Sequence, residues 1–119
     1  MISCQVDDMK LEFYDKKLQK ICSSEAEMKV KYGPQMAKKL QQRLMELRAA
    51  NTLAQISRLP PPRCHEHTGS GKGTLTVDLV HPYRLVFKPN HDPVPVKPDG
   101  GLDWEKVTSI IILGIIDPH

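Results

Sequence analysis

The fold is decided by a stretch that alternates apolar and polar residues, GTLTVDLVHPYRLVFK at residues 73–88. Successive side chains of a β-strand point to opposite faces, so an alternating segment is typical of a strand with one buried face. The first half places three apolar residues on the inward face, Leu75, Val77 and Leu79. Residues 83–88 alternate in the same way after a tight His81-Pro82 connection. The stretch therefore predicts a β-hairpin made of residues 73–80 and 83–88.

Two other segments have the patterns of strands. Residues 10–14 alternate, as a short half-buried strand does, whereas residues 1–9 show no pattern and are predicted to be a tail. Residues 109–116, SIIILGII, are almost wholly aliphatic, which is typical of a strand covered on both faces. We therefore expect this last strand in the middle of the sheet.

Two helices are predicted between the first strand and the hairpin. The first begins at Asp15 and ends near Gly33, and Ser24 with Glu27 forms a capping box that restarts it. The second begins at Pro34, a residue favoured in the first turn of a helix, and runs to about Ala50. Its inward face carries Met36, Leu40, Leu44 and Leu47. Its outside carries a basic stripe, interpreted as a solubilising face with phosphate binding as the alternative: Lys38, Lys39, Gln41, Gln42, Arg43 and Arg48.

Residues 89–105 interrupt the second half of the chain with prolines and a Gly100-Gly101 pair, so they are predicted to be a surface excursion. The order of elements is a strand, two helices and then three strands. This order predicts an α+β fold in which two N-terminal helices pack on a small, mainly antiparallel sheet. The 119 residues are expected to form a single domain.

Composition excludes several classes of protein. Hydrophobic residues make up 39% and charged residues 26%, as in globular domains and unlike disordered chains. No apolar run approaches the roughly 20 residues of a membrane span. Three cysteines without a CxxC pair indicate free thiols in a reducing compartment. We therefore expect a cytoplasmic protein without a membrane partner.

Charge is distributed unevenly along the chain. The net charge is +3, but residues 10–58 hold 11 Lys and Arg against 5 Asp and Glu. This bias suits contact with nucleic acid or with an acidic protein, and solvated helix faces produce the same bias.

Three groups of chemically active residues meet if the strands pair as predicted. They are the loop Arg63-Cys64-His65-Glu66-His67, Arg84 on the second hairpin strand, and Asp117-Pro118-His119 after the last strand. RNA is cut without a metal when a base removes the 2′-hydroxyl proton, a cation stabilises the charge on the phosphate, and an acid protonates the departing 5′-oxygen. Imidazole suits either proton role because its ordinary pKa is ~6.5, and arginine matches phosphate oxygens bidentately. These residue types therefore point to RNA cleavage without a cofactor.

Two other site types fit these residues less well. Five potential metal ligands are present, but they lack the spacing of a CxxC or HExxH site: Cys64, His65, His67, Asp117 and His119. The glycine-rich run 69–74 does not match a phosphate-binding loop, because position 66 is Glu and Lys72 is followed by Gly73. A glycine-rich turn before a strand is the simpler interpretation.

The loop, the hairpin and the end of the sequence together resemble a known family. The matching segments are Cys64 to Gly73, Val77-Asp78-Leu79, His81 to Phe87, and Ile116 to His119. In this order they are similar to HigB-type killer toxins of the RelE/ParE superfamily, over roughly residues 10–119. The resemblance implies a RelE-like fold and a toxin of a type II toxin–antitoxin system. Such toxins are ribosome-dependent messenger-RNA endonucleases, neutralised in a heteromer by a cognate helix-turn-helix, HigA-like antitoxin.

The resemblance also implies roles for individual residues. His65 and His119 would transfer protons, Arg84 would bind the phosphate, and Asp117 would orient a histidine or take part in acid–base catalysis. Arg63 and Lys72 would contact the RNA backbone. Tyr83 would stack on a base, with a core-facing aromatic as the alternative.

The sequence departs from the family at identifiable positions. Pro118 stands where the family typically has tyrosine, and Thr74 and Leu75 stand where relatives are often aromatic. Two alternatives therefore stay open, namely a ParE-like toxin that poisons DNA gyrase without cutting RNA, and an inactive relic that still binds antitoxin. The joint presence of His65, Arg84 and His119 favours the nuclease.

Overall fold

The computed structural model describes residues 9–56, 64–66 and 73–116. In chain order the elements are β1 (Lys10–Phe13), α1 (Lys16–Cys22), α2 (Glu25–Tyr32), α3 (Pro34–Ala49), β2 (His65–Glu66), β3 (Leu75–Asp78), β4 (Arg84–Pro89) and β5 (Ser109–Ile116). Short 3₁₀ turns occupy Leu53–Gln55 and Trp104–Lys106. Helices come first and most of the sheet follows, so the predicted α+β class is confirmed.

The strands form one mixed sheet in the order β1-β5-β4-β3-β2. β1 is parallel to β5, and the other three pairings are antiparallel. The predicted hairpin is confirmed, with Leu75 opposite Phe87 and Asp78 opposite Arg84. Buried residues of the helices and of the sheet belong to one hydrophobic core.

β5 lies between β1 and β4, so its predicted interior position is confirmed. Its expected coverage on both faces is wrong in part. Ile110 and Ile112 are buried on the core face, but Ile111 is half-buried and Ile116 is 38% exposed. β-branched residues fit a pleated strand on either face, so an aliphatic run reports strand formation more reliably than burial.

The first predicted helix is two helices, because the chain breaks at Ser23 and Ser24 between α1 and α2. The Ser23 and Ser24 amides donate to carbonyls three residues back, which closes the last turn of α1. The predicted restart at Ser24 is confirmed, since its Oγ accepts from the Glu27 amide at 3.3 Å. Asp15 caps α1 in the same way by accepting from the Leu18 amide at 2.7 Å.

α3 begins at Pro34 as predicted and buries the expected apolar residues. Its predicted outer stripe is wrong at Arg43, which is only 2% exposed. Arg43 follows Met36 by seven residues and Leu40 by three, so it falls on the inward face of a helix with 3.6 residues per turn.

The tail predicted for residues 1–9 and the excursion predicted for residues 89–105 both contain residues that belong to the fold. Met9, assigned to the tail, is buried and its amide donates to the Ala50 carbonyl at 2.7 Å. Pro89 ends β4 opposite Ile110, and Trp104 is buried in the core. Most residues between Pro89 and Trp104 are exposed.

Among the residues that the structure describes, no helix has the length and apolar character required to cross a membrane.

Candidate functional site

Arg84 and Asp78 lie opposite each other on two adjacent interior strands of the sheet. Arg84 begins β4, Asp78 ends β3, and the two residues are partners in the strand register. Arg84 Nε lies 3.7 Å from Asp78 Oδ1, and the two side chains are 24% and 27% exposed. This distance makes an ion pair rather than a close hydrogen bond. The Arg84 side chain is thus paired with a carboxylate and partly exposed to solvent, so it can be reached by a phosphate.

The opposite neighbour of Arg84 is the end of β5. Arg84 pairs with Ile116, the last described residue. Asp117, Pro118 and His119 follow Ile116 in the sequence. The last described residue of β5 therefore lies beside Arg84, whereas Asp117 and His119 lie outside the described residues.

His65 belongs to β2, the two-residue strand at one edge of the sheet. Its backbone pairs with Thr76 of β3, and Thr76 pairs with Val86 of β4. Val86 is two residues from Arg84, and neighbouring strands lie about 4.8 Å apart with a rise of about 3.3 Å per residue. The Cα atoms of His65 and Arg84 are therefore separated by roughly 12 Å.

β2 is tied to the rest of the molecule by the residue after His65. Glu66 Oε1 accepts a 2.7 Å hydrogen bond from the indole Nε1 of Trp104. Trp104 is buried and stands in the 3₁₀ turn that precedes β5. The far end of the proline-rich segment thus anchors the strand that carries His65.

Tyr83 lies in the turn before β4 and not on the strand itself. Its amide donates to the Val80 carbonyl at 2.8 Å, and its carbonyl accepts from the Leu79 amide at 3.0 Å. The side chain is 40% exposed, so the alternative of a core-facing aromatic is wrong. Stacking on a base stays a prediction.

The other predicted contacts fall outside the described residues. This is true of Arg63 and Lys72, the predicted contacts to the RNA backbone, and of His67. Within residues 9–56, 64–66 and 73–116, no group of three or more His, Cys, Asp or Glu is arranged to hold a metal ion.

A cysteine nucleophile in the helical layer is disfavoured. Burial raises the pKa of the Cys22 thiol to about 11, and the positive charge of Arg48 opposes this only in part. A thiol with such a pKa is protonated and unreactive near neutral pH.

Sequence reasoning missed two residues at this site, Arg43 and Asp78. Arg43 Nε donates a 2.7 Å hydrogen bond to the backbone carbonyl of Asp78, which connects α3 to the strand end beside Arg84. The helical spacing of Arg43 places it on the inward face of α3, but because of its charge it was assigned to the outer face. Asp78 could have been found from the hairpin register, which places it opposite Arg84.

Comparison of the chain with known protein families, with curated proteins and with solved structures finds no match. The likeness to HigB-type toxins rests on the residues quoted above.

Proposed function

We propose that this chain is a HigB-type toxin with a RelE-like fold, a metal-independent endonuclease that cuts messenger RNA on the ribosome. In this proposal a HigA-like helix-turn-helix antitoxin binds the toxin in a cytoplasmic heteromer and blocks it. The observation that carries the proposal is the Arg84–Asp78 pair, a partly exposed guanidinium held at 3.7 Å on interior strands next to the end of β5.

Arg84 would bind the scissile phosphate. A guanidinium presents five N–H donors in a fixed fork and stays charged at any physiological pH. Asp78, whose Oδ1 lies 3.7 Å from Arg84 Nε, would orient the guanidinium before RNA binds. The preorganised positive charge of Arg84 would then stabilise the negative charge that develops in the transition state.

His65 and His119 would carry the protons. His65 lies across one intervening strand from Arg84, at a Cα separation of roughly 12 Å. Chain connectivity keeps the Cα of His119 within about 11 Å of that of Ile116, the register partner of Arg84. Catalytic distances in an enzyme without substrate are commonly long and tighten when the substrate binds. Asp117 would orient one imidazole or act in acid–base catalysis.

RNA binding would use residues around this centre. Arg63 and Lys72 flank β2 in the sequence and would contact phosphates, and the exposed ring of Tyr83 would stack on a base. The position of Tyr83 directly before Arg84 supports this assignment.

The proposal is tested by inducing the wild-type chain in a bacterial host beside His65→Ala, Arg84→Ala and His119→Ala, and by mapping message ends. Lys88→Ala is the matched control, because Lys88 is an exposed cation on the same strand as Arg84. We expect growth arrest with new ends inside translated codons for the wild type and the control, and neither effect for the three variants.

Other outcomes assign other functions. Arrest that survives all three substitutions, or that comes with DNA damage and intact messages, would identify a gyrase poison. Normal growth with the wild-type chain would identify an inactive antitoxin-binding protein.

A further inference from the structure

Arg43 is a buried charge whose hydrogen bonds lead to the candidate site. It is 2% exposed, and its Nη1 donates to both carboxylate oxygens of Glu46, at 3.0 and 3.2 Å. Its Nε donates to the backbone carbonyl of Asp78 at 2.7 Å. Glu46 also accepts from Gln42 Nε2, so the guanidinium is held from its own helix and directed at the sheet.

Packing alone does not explain an arginine at this position. Burying a guanidinium is costly unless it is paired and hydrogen-bonded, and an apolar residue of similar volume is often as stable or more stable. What arginine adds here is a connection with two fixed directions, one toward Glu46 on α3 and one toward the end of β3.

The connection reaches the one residue that pairs with Arg84 in the register of β3 and β4. Asp78 ends β3, and its carboxylate forms the ion pair with Arg84 Nε. Strand ends fray more readily than strand centres. A hydrogen bond from α3 to the Asp78 carbonyl fixes this peptide, and the position of the carboxylate follows from the position of the peptide.

We propose that Arg43 is a positioning residue that orients the guanidinium of Arg84 through Asp78. The role in RNA cleavage rests on the proposed function, whereas the coupling between Arg43 and Arg84 does not. A lysine at position 43 keeps the charge but is a point donor, which cannot hold Glu46 and the Asp78 carbonyl in the same fixed geometry.

The coupling is tested with a double-mutant cycle on ribosome-bound message. Arg43→Lys is measured in the wild-type background and in Arg84→Ala, with the cleavage rate read at saturating and at limiting toxin. We expect a loss of about tenfold in the wild-type background, since small misplacements of a catalytic group have large effects on rate. In the Arg84→Ala background we expect less than a twofold change, because the group being positioned is gone. Equal losses in both backgrounds would overturn the proposal.

A second readout needs no reaction. In ¹⁵N-labelled protein the Arg84 Nε–Hε signal reports the environment of its guanidinium. We expect Arg43→Lys and Arg43→Met to shift or broaden this signal. Leu44→Val is the control, because Leu44 is a buried neighbour on α3 whose shortening lowers stability and whose side chain has no hydrogen-bond donor for the Asp78 carbonyl. An Arg84 signal that is unchanged in Arg43→Lys, or equally perturbed in Leu44→Val, would refute the positioning role.

The two readouts separate the two proposals. If the wild-type chain cuts no message, the nuclease proposal fails and the Arg84 signal still decides whether Arg43 positions Arg84. If the wild-type chain cuts and Arg43→Lys cuts equally well, the nuclease stands and the positioning role fails.

Discussion

The two ends of the candidate site are built differently. Arg84 stands on β4, which has a strand on each side, and its partner Asp78 is held from behind by Arg43 of α3. His65 stands on β2, a two-residue edge strand that pairs with β3 and is tied by the Glu66–Trp104 hydrogen bond. The proposed phosphate-binding residue thus lies on an interior strand that α3 supports, and a proposed proton-transfer residue lies on an edge strand. Transition-state stabilisation depends on preorganised charge, whereas proton transfer needs a group that can meet its substrate atom.

The largest effect on the cleavage rate is expected at Arg84, the interior end of the candidate site. Arg84→Ala should lower the cleavage rate about 10²-fold or more while changing the free energy of unfolding by less than about 1 kcal/mol, because the side chain is partly exposed. The comparison variant is Leu85→Ala, one residue along the strand and fully buried. It should cost about 2–5 kcal/mol of stability and leave cleavage intact below its melting temperature. Urea unfolding and cleavage assays on both variants test this, and a cleavage loss that tracks stability in both would contradict it.

A smaller effect on the cleavage rate is expected when β2, the edge strand that carries His65, loses its hydrogen bond to Trp104. Trp104→Phe keeps a ring in the core and removes the donor to Glu66, so it should cost about 1–2 kcal/mol. Hydrogen exchange at the β2–β3 pairing should accelerate, and cleavage should fall several-fold, less than in Arg84→Ala. Lys106→Ala is the control, since Lys106 is exposed in the same 3₁₀ turn. Unchanged exchange in Trp104→Phe would show that this hydrogen bond does not anchor the edge strand.

A substitution in the helices should lower stability without affecting Arg84 or His65. Ser24→Ala removes the cap of α2 and should cost about 1 kcal/mol of stability without altering the cleavage rate. Ser23→Ala, next to it and exposed, should cost less. Thermal unfolding of both variants checks the difference. Equal stability would mean that the Ser24 hydrogen bond contributes nothing.

The smallest effect is a difference in thiol labelling. Cys64 is buried directly before β2, and Cys22 is buried in α1 with a pKa of about 11. At pH 8 a thiol with this pKa is ionised to only about one part in 10³, so Cys22 should label slowly in every variant. Trp104→Phe should accelerate labelling of Cys64 several-fold and leave Cys22 unchanged, as measured by mass spectrometry of each peptide. Equal acceleration at both cysteines would indicate global unfolding instead of edge opening.

Local patterns predicted most of the elements but not β2, which was assigned to a loop, and they could not predict long-range contacts. Alternation in residues 73–88 gave the hairpin, Pro34 gave the start of α3, and Ser24 gave the restart of the helix. The bonds that support the site join residues 35 and 38 positions apart, Arg43 to Asp78 and Trp104 to Glu66. No periodicity within one element reports such a pairing. The charge of Arg43 also led to the wrong prediction that it lies on the outer face of α3, because a basic residue on a helix is usually solvated.

The residues that carry the proposed chemistry were predicted from their types and order, and their geometry needed the sheet. Arg84 could be predicted from its residue type, because a guanidinium suits a phosphate. Its partner Asp78 is identified only by the strand register. Tyr83 was assigned to a strand that begins one residue later, so the sequence left both an exposed ring and a core-facing ring open, and only the structure decides between them.

The most direct test of the central claim uses purified protein and ribosomes stalled on a defined message. Wild-type chain, Arg84→Ala and Lys88→Ala are added to the complex and to the same message without ribosomes, and the 5′ ends are mapped. We predict cuts within the codon in the ribosomal A site for the wild type and Lys88→Ala, a rate lower by about 10²-fold or more for Arg84→Ala, and no cuts in free RNA. Intact messages with the wild-type chain, or an undiminished cleavage rate in Arg84→Ala, would contradict the account.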